Sequence, residues 1–167
     1  MMTKTSRNSH STLTETDSER GSAAIELAIA ICIFCPVVLF GTADLAAVSY
    51  DSIEVTSAAH VGATYGMRSA TYASSTAAIQ TAAQNEAADF GSNLTVTPTI
   101  FYACALTING TQYSTQSAAT SACTGAGNHV LEFLQVNTSV TVNAPFHLPA
   151  IATSYTLHGQ AIMEVEE

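Results

Sequence analysis

From Leu27 to Ala43 the chain runs 17 residues without a charge. As an α-helix that run is about 25 Å long, and about 30 Å if it starts at Ala23. A bilayer core is also about 30 Å thick, so the segment has the length of a membrane span. A buried core helix is the alternative for any such run. Pro36 lies inside it and removes one helical hydrogen bond, which a membrane helix tolerates.

The charges are divided around this run. Lys4, Arg7 and Arg20 precede it, whereas residues 22–167 carry Arg68 alone against ten carboxylates. Cations flanking one end keep that end cytoplasmic, so everything after about Asp44 is expected outside, in a bacterium the periplasm or beyond. The net charge of −9 repels phosphate backbones and argues against nucleic-acid binding. Residues 1–21 are polar, rich in Ser and Thr and without an apolar period, and are expected to be disordered. A secretory signal fits them poorly, because the leader is long and holds Glu15, Asp17 and Glu19.

The junction reads Arg20-Gly21-Ser22-Ala23-Ala24-Ile25-Glu26-Leu27. A carboxylate in a membrane helix costs on the order of 3 kcal/mol at the bilayer centre and less near its surface, so Glu26 needs a partner or a wet site. The bland account is that Glu26 only favours the positive end of its own helix dipole. A Gly closing a polar leader, with a Glu five residues on, resembles the site at which a membrane aspartyl peptidase cuts type IV prepilins and pseudopilins. The resemblance implies cleavage between Gly21 and Ser22. Glu26 would then meet the free amino group of a neighbouring Ser22 and set register during assembly.

The longer stretch RGSAAIELAIAICIFCPVVLFGTADLAAVSYDSIEVTSAAHVGATYG is similar to the TadE-like family of tight-adherence (Tad) minor pseudopilins. Two further features carry the resemblance: the pair Cys104 and Cys123, and the tail VNTSVTVNAPFHLPAIATSYTLHGQAIMEVEE. The chain departs from the family at Leu27, where Phe is common, and in its weakly basic leader. The implied partners are the prepilin peptidase, other pilin or pseudopilin subunits, the Tad assembly machinery and the membrane.

Beyond the span, Leu45, Val48, Ser52, Val55, Ala59 and Gly62 form one helical stripe. One helix is expected from about 23 to 66, its small residues suited to close packing against the chain's own outer domain, a neighbour, or both. A second helix is expected over 75–90, with Gly91 as its stop. Residues 94–106, 129–144 and 155–165 have strand composition or alternation, Pro98 marking an edge or break. Asn109-Gly110, flanked by Ile108 and Tyr113, has the form of a hairpin turn, and 114–128 reads as loop. The fold class is therefore α+β: a long N-terminal helix, a short helix and a three- or four-stranded antiparallel sheet. The organisation is a leader 1–21, a helix 22–66 and an outer domain 67–167.

Cys104 and Cys123 face an oxidising compartment in this topology. We expect a bridge closing a loop of about 20 residues, which the chain-entropy model values at about 3 kcal/mol; two free thiols are the alternative. Cys32 and Cys35 spell C-x-x-C inside the apolar run, without the βαβ context of a redox motif. His10, His60, His129, His147 and His158 form no metal-binding spacing, and no nucleophile elbow or phosphate loop occurs. Asn93, Asn109 and Asn137 begin Asn-x-Ser/Thr triplets, as expected by chance in so Ser/Thr-rich a chain. The expectation is thus a structural protein with no metal, cofactor or catalytic residues: a minor pilin or assembly initiator of a Tad-type pilus used in adhesion and biofilm formation. The rival is a membrane-tethered extracytoplasmic binding module that never joins a filament.

Overall fold

The computed structural model describes residues 15–107, 110–146 and 152–166, with side chains from residue 21 onward. The chain forms two compact units, Met1–Ala43 and Asp44–Glu167. One helix, α1 (Glu15–Gly66), runs from the first into the second. It continues through Pro36 and begins within the stretch expected to be disordered: residues 15–21 are helical, while 1–14 lie outside the described residues. The compact outer unit starts at Asp44, so the last 23 residues of α1 belong to it.

Three further helices follow: α2 (Ala70–Ala73), α3 (Thr76–Glu86) and α4 (Gln116–Ala122). The three strands are β1 (Thr95–Cys104), β2 (Val130–Asn143) and β3 (Ser154–Glu164). They form one antiparallel sheet in the order β1-β2-β3. The architecture is α+β, with three strands among the described residues.

Alternation along β2 sends Leu134, Val136, Thr138, Val140 and Val142 into the core. Against them pack Val55, Ala58 and Ala63 of α1 with Ile79 and Ala83 of α3. Small residues allow the approach. A Cβ at Gly62 would lie 3.3 Å from Ala83 Cβ and 3.4 Å from Val136 Cγ1, and one at Gly66 would overlap Leu134 Cδ2. The stripe beyond the span therefore packs on the chain's own outer unit. Leu45 does not join it: that side chain is 68% exposed, and Asp44 occupies the inward position instead.

α3 ends at Glu86, four residues earlier than expected. Ala87 is fully buried and its amide closes the last helical bond, to Ala83 O. The chain then turns through Phe90 to Gly91, whose φ of +50° is costly for residues other than glycine. Gly91 thus begins the 3-10 turn Gly91–Asn93 that leads into β1 rather than stopping a helix directly. The region expected as loop holds α4, whose first turn is capped by Thr115 accepting from Ala118 N. At the expected hairpin, Ile108 and Asn109 lie outside the described residues. The chain does turn back there: Tyr102 and Tyr113 exchange both backbone hydrogen bonds at 2.8 Å.

Candidate functional site: the N-terminal segment and the face it enters

Gly21, Ser22 and Glu26 all lie within α1 and all are exposed. Ser22 and Glu26 stand four residues apart and so share a helix face. No hydrogen bond or ion pair reaches Glu26 from the described residues. A Cβ at Gly21 would meet nothing within 4 Å, so packing does not require glycine there.

From 21 to 43 every residue is exposed except the half-exposed Ala30 and Gly41. Ile25, Leu27, Ile29, Ile31, Ile33, Phe34, Val37, Val38 and Leu39 are each more than half exposed. An uncovered apolar surface of this extent is foreign to a water-soluble domain. This is the one helix among the described residues long and apolar enough to cross a membrane, and none of its apolar window is buried. That lack of burial separates it from a core helix, the alternative left open by length alone. Cys32 and Cys35 are free thiols on the same surface.

Asp44 is the first residue of the outer unit and is only 3% exposed. Its Oδ1 accepts from Phe146 N at 2.9 Å, across 102 residues of sequence, and its buried Oδ2 has no hydrogen-bond partner among the described residues. The bond fastens the chain leaving β2 to the start of the outer helix. Eleven residues further on, Thr138 Oγ1 donates to Val55 O at 2.8 Å. There β3 passes so close that a Cβ at Gly159 would sit 2.6 Å from Val55 O and 2.9 Å from Thr56 Cα. Neither contact was legible in the sequence. Asp44 takes the inward position that the sequence had assigned to Leu45.

Asp51 and Glu54 of α1 lie near Asp89 in the segment after α3. Desolvation, then repulsion from Asp89, raises both carboxyls above their ordinary range. Ser57 Oγ donates to Glu86 Oε1 at 2.9 Å beside them.

Cys104 at the end of β1 and Cys123 after α4 form a disulfide, with Cα atoms 5.3 Å apart. With Ala119 they make a small second core beneath Tyr102, Tyr113 and Val130. Among the described residues no group of three or more His, Cys, Asp or Glu is placed to hold a metal. His60, His129 and His158 are dispersed; His10 and His147 lie outside the described residues.

No curated protein and no solved structure matches the chain. A family model does match, over residues 21–64, with the description TadE-like protein. The match begins at the glycine of the junction, covers the whole uncovered apolar segment and ends two residues before α1 does. Residues 21–64 of this chain are therefore similar to the TadE-like family, the one that the longer stretch from Arg20 to Gly66 resembles.

Proposed function

We propose that this chain is a minor pilin or pseudopilin: a single-pass membrane subunit that initiates or supports assembly of a Tad-type pilus for surface adhesion. The observation that carries this is the uncovered apolar helix face of residues 21–43, with Gly21 at its start and Glu26 just inside it, within a TadE-like match. A helix that no described residue of its own chain covers needs lipid first and neighbouring helices afterwards. Both environments suit a subunit that moves from membrane to filament.

In this reading the N-terminus is cytoplasmic, as Lys4, Arg7 and Arg20 favour, and the outer unit is periplasmic. The Cys104–Cys123 disulfide supports that side, since such bonds persist in oxidising compartments. A prepilin peptidase cuts between Gly21 and Ser22. Cleavage needs an extended chain, and Gly is the residue in this stretch that most weakens a helix, by about 1 kcal/mol relative to Ala. The new amino group of Ser22 then pairs with Glu26 of a neighbouring subunit. The role is structural and not catalytic.

N-terminal sequencing and intact mass of the native protein test the proposal. A start at Ser22 in the membrane or pilus fraction is expected. A native chain that still begins at Met1, in cells whose peptidase processes other substrates, overturns it.

A further inference from the structure

The sheet has two edges, and the fold treats them differently. Ala105 N donates to His129 O in the β1–β2 ladder. Residues of an antiparallel pair alternate between bonding inward and pointing outward, so the even-numbered residues of β1 face away from β2. Part of that outer row is occupied. Gln80 Nε2 donates to Val96 O, Gln84 Nε2 to Leu94 O just before the strand, Pro98 has no N–H, and Tyr102 pairs with Tyr113. These are the devices by which proteins close an exposed edge.

β3 has none of them over its length. Ala144 N donates to Thr153 O, and Val165 N donates to Glu132 O. Odd-numbered residues of β3 therefore bond to β2. The outer row is Ser154, Thr156, His158, Gln160, Ile162 and Glu164, and all six side chains are exposed. Among the described residues no backbone group reaches this row. The next residue in it, Glu166, is covered, its N–H donating to Met67 O at 2.7 Å. The row holds no Pro, Lys or Arg, and its one charge is Glu164, at the end beside an open cleft of about 800 Å³ lined by Glu132, Glu164 and Glu166.

We propose that the outer edge of β3 is a strand-addition site for an extended segment of a different subunit, rich in Thr- and Val-like strand formers, with a Lys or Arg at the end that meets Glu164. Main-chain hydrogen bonds hold such a segment and the acidic end fixes its register. A second copy of this chain is a poor occupant for three reasons. Its β1 edge is partly blocked by Gln80, Pro98 and Tyr113. Its β3 could pair antiparallel only with the two 44–66 helices opposed, because β3 follows α1 in the same sense: Gly159 meets Val55, Met163 meets Thr64 and Glu166 meets Met67. In the pilin reading the helices of neighbouring subunits run the same way, so two copies are not opposed in that way. Parallel pairing would set Glu164 beside its own copy, which like charges disfavour.

The identity of the partner as a co-assembled subunit rests on the pilin reading; the open edge does not. The test uses the full chain in cells that assemble the pilus, with a photo-reactive residue at position 162. A heteromeric adduct is expected. His158→Pro removes one outward N–H and no bond to β2, and should cut the adduct at least tenfold; His158→Ala, which keeps the N–H, should leave it intact. Glu164→Lys should also reduce it. An adduct equal in His158→Pro and wild type, or one formed only between two copies, overturns the proposal. Amide exchange on the wild-type chain in nanodiscs is a check that needs no variant. Amides of Thr156, His158, Gln160 and Ile162 should exchange at least tenfold faster than those of Tyr155, Leu157, Ala161 and Met163, and equal protection overturns the open edge. The N-terminus is determined on the same sample. A chain still starting at Met1 sinks the pilin reading, whereas a Ser22 start with an insensitive adduct sinks the edge alone.

Discussion

Gly159 is where a single added methyl would do most damage. Its missing Cβ leaves room for both Thr138 Oγ1 and the α1 backbone at Val55–Thr56. Ala at 159 forces strand and helix apart and strains the Thr138–Val55 bond, at a cost of about 3 kcal/mol, the upper end of the usual range for overpacking. Urea unfolding of the full chain in detergent micelles measures this, and a loss below about 1 kcal/mol would contradict the close approach. Gly21 is the contrast: Ala there meets nothing, so the fold should be unchanged. If Gly21→Ala still stops removal of the leader, the effect belongs to the peptidase. Equal mature masses for variant and wild type would show that glycine is not required. Around Asp89, protonation stabilises. The carboxyls of Asp51 and Glu54 bind their protons more tightly folded than unfolded, so their contribution is most favourable in acid. It is lost as pH rises from their ordinary values of 3.8 and 4.5 through the raised folded ones. Asp89→Asn should raise the melting temperature at pH 7 and flatten its dependence on pH above about 4, by an amount within the roughly 0.5 kcal/mol of most surface changes. A lower melting temperature at pH 7 would reverse the sign.

Among the elements, α4 depends most on a covalent tie. It has seven residues, one buried side chain and a Thr cap, too little to order a helix in water by itself. Replacing Cys104 and Cys123 by Ala should cost about 3 kcal/mol by loop closure over a separation of 19 residues. Rapid proteolysis should then appear between Thr115 and Gly127, and an uncut, equally stable variant would show the bond to be dispensable. The start of the outer helix depends on Asp44. Asp44→Ala leaves Phe146 N without its acceptor, at about 2 kcal/mol for a hydrogen bond to a charged group. Asp44→Asn keeps an acceptor and should lose less. Exchange at the Phe146 amide distinguishes the two, and equal protection in both variants would remove the role given to that bond.

For the whole molecule, the two units differ in what covers their apolar residues. The outer unit has a core and a disulfide of its own. The segment before it has an apolar surface that no described residue covers. In the pilin reading, insertion answers to residues 21–43 and assembly to Glu26. Glu26→Ala should leave insertion and processing intact while lowering incorporation into pili at least tenfold. Wild-type pilus yield and surface attachment in that variant would remove Glu26 from assembly.

Much of this was legible in the order of the residues, for reasons that differ by element. A charge-free run of bilayer length is a one-dimensional property, and so is a Gly at a fixed offset from a Glu. The strands showed through their alternation, because a side chain's face in a sheet follows from its parity. The helix stripe showed its period but was misplaced at its first member: Leu45 points outward and Asp44 inward, where it accepts a part-buried hydrogen bond from Phe146 N. α4 was hidden because its Ser and Thr offset the helix preference of its Ala residues, and a cap with a disulfide decides the outcome. Which edge of the sheet lies open could be settled only in three dimensions. Gln80, Gln84 and Tyr113 are remote from β1 in sequence or bound across a turn, and only packing brings their hydrogen-bonding groups to that strand while leaving β3 bare.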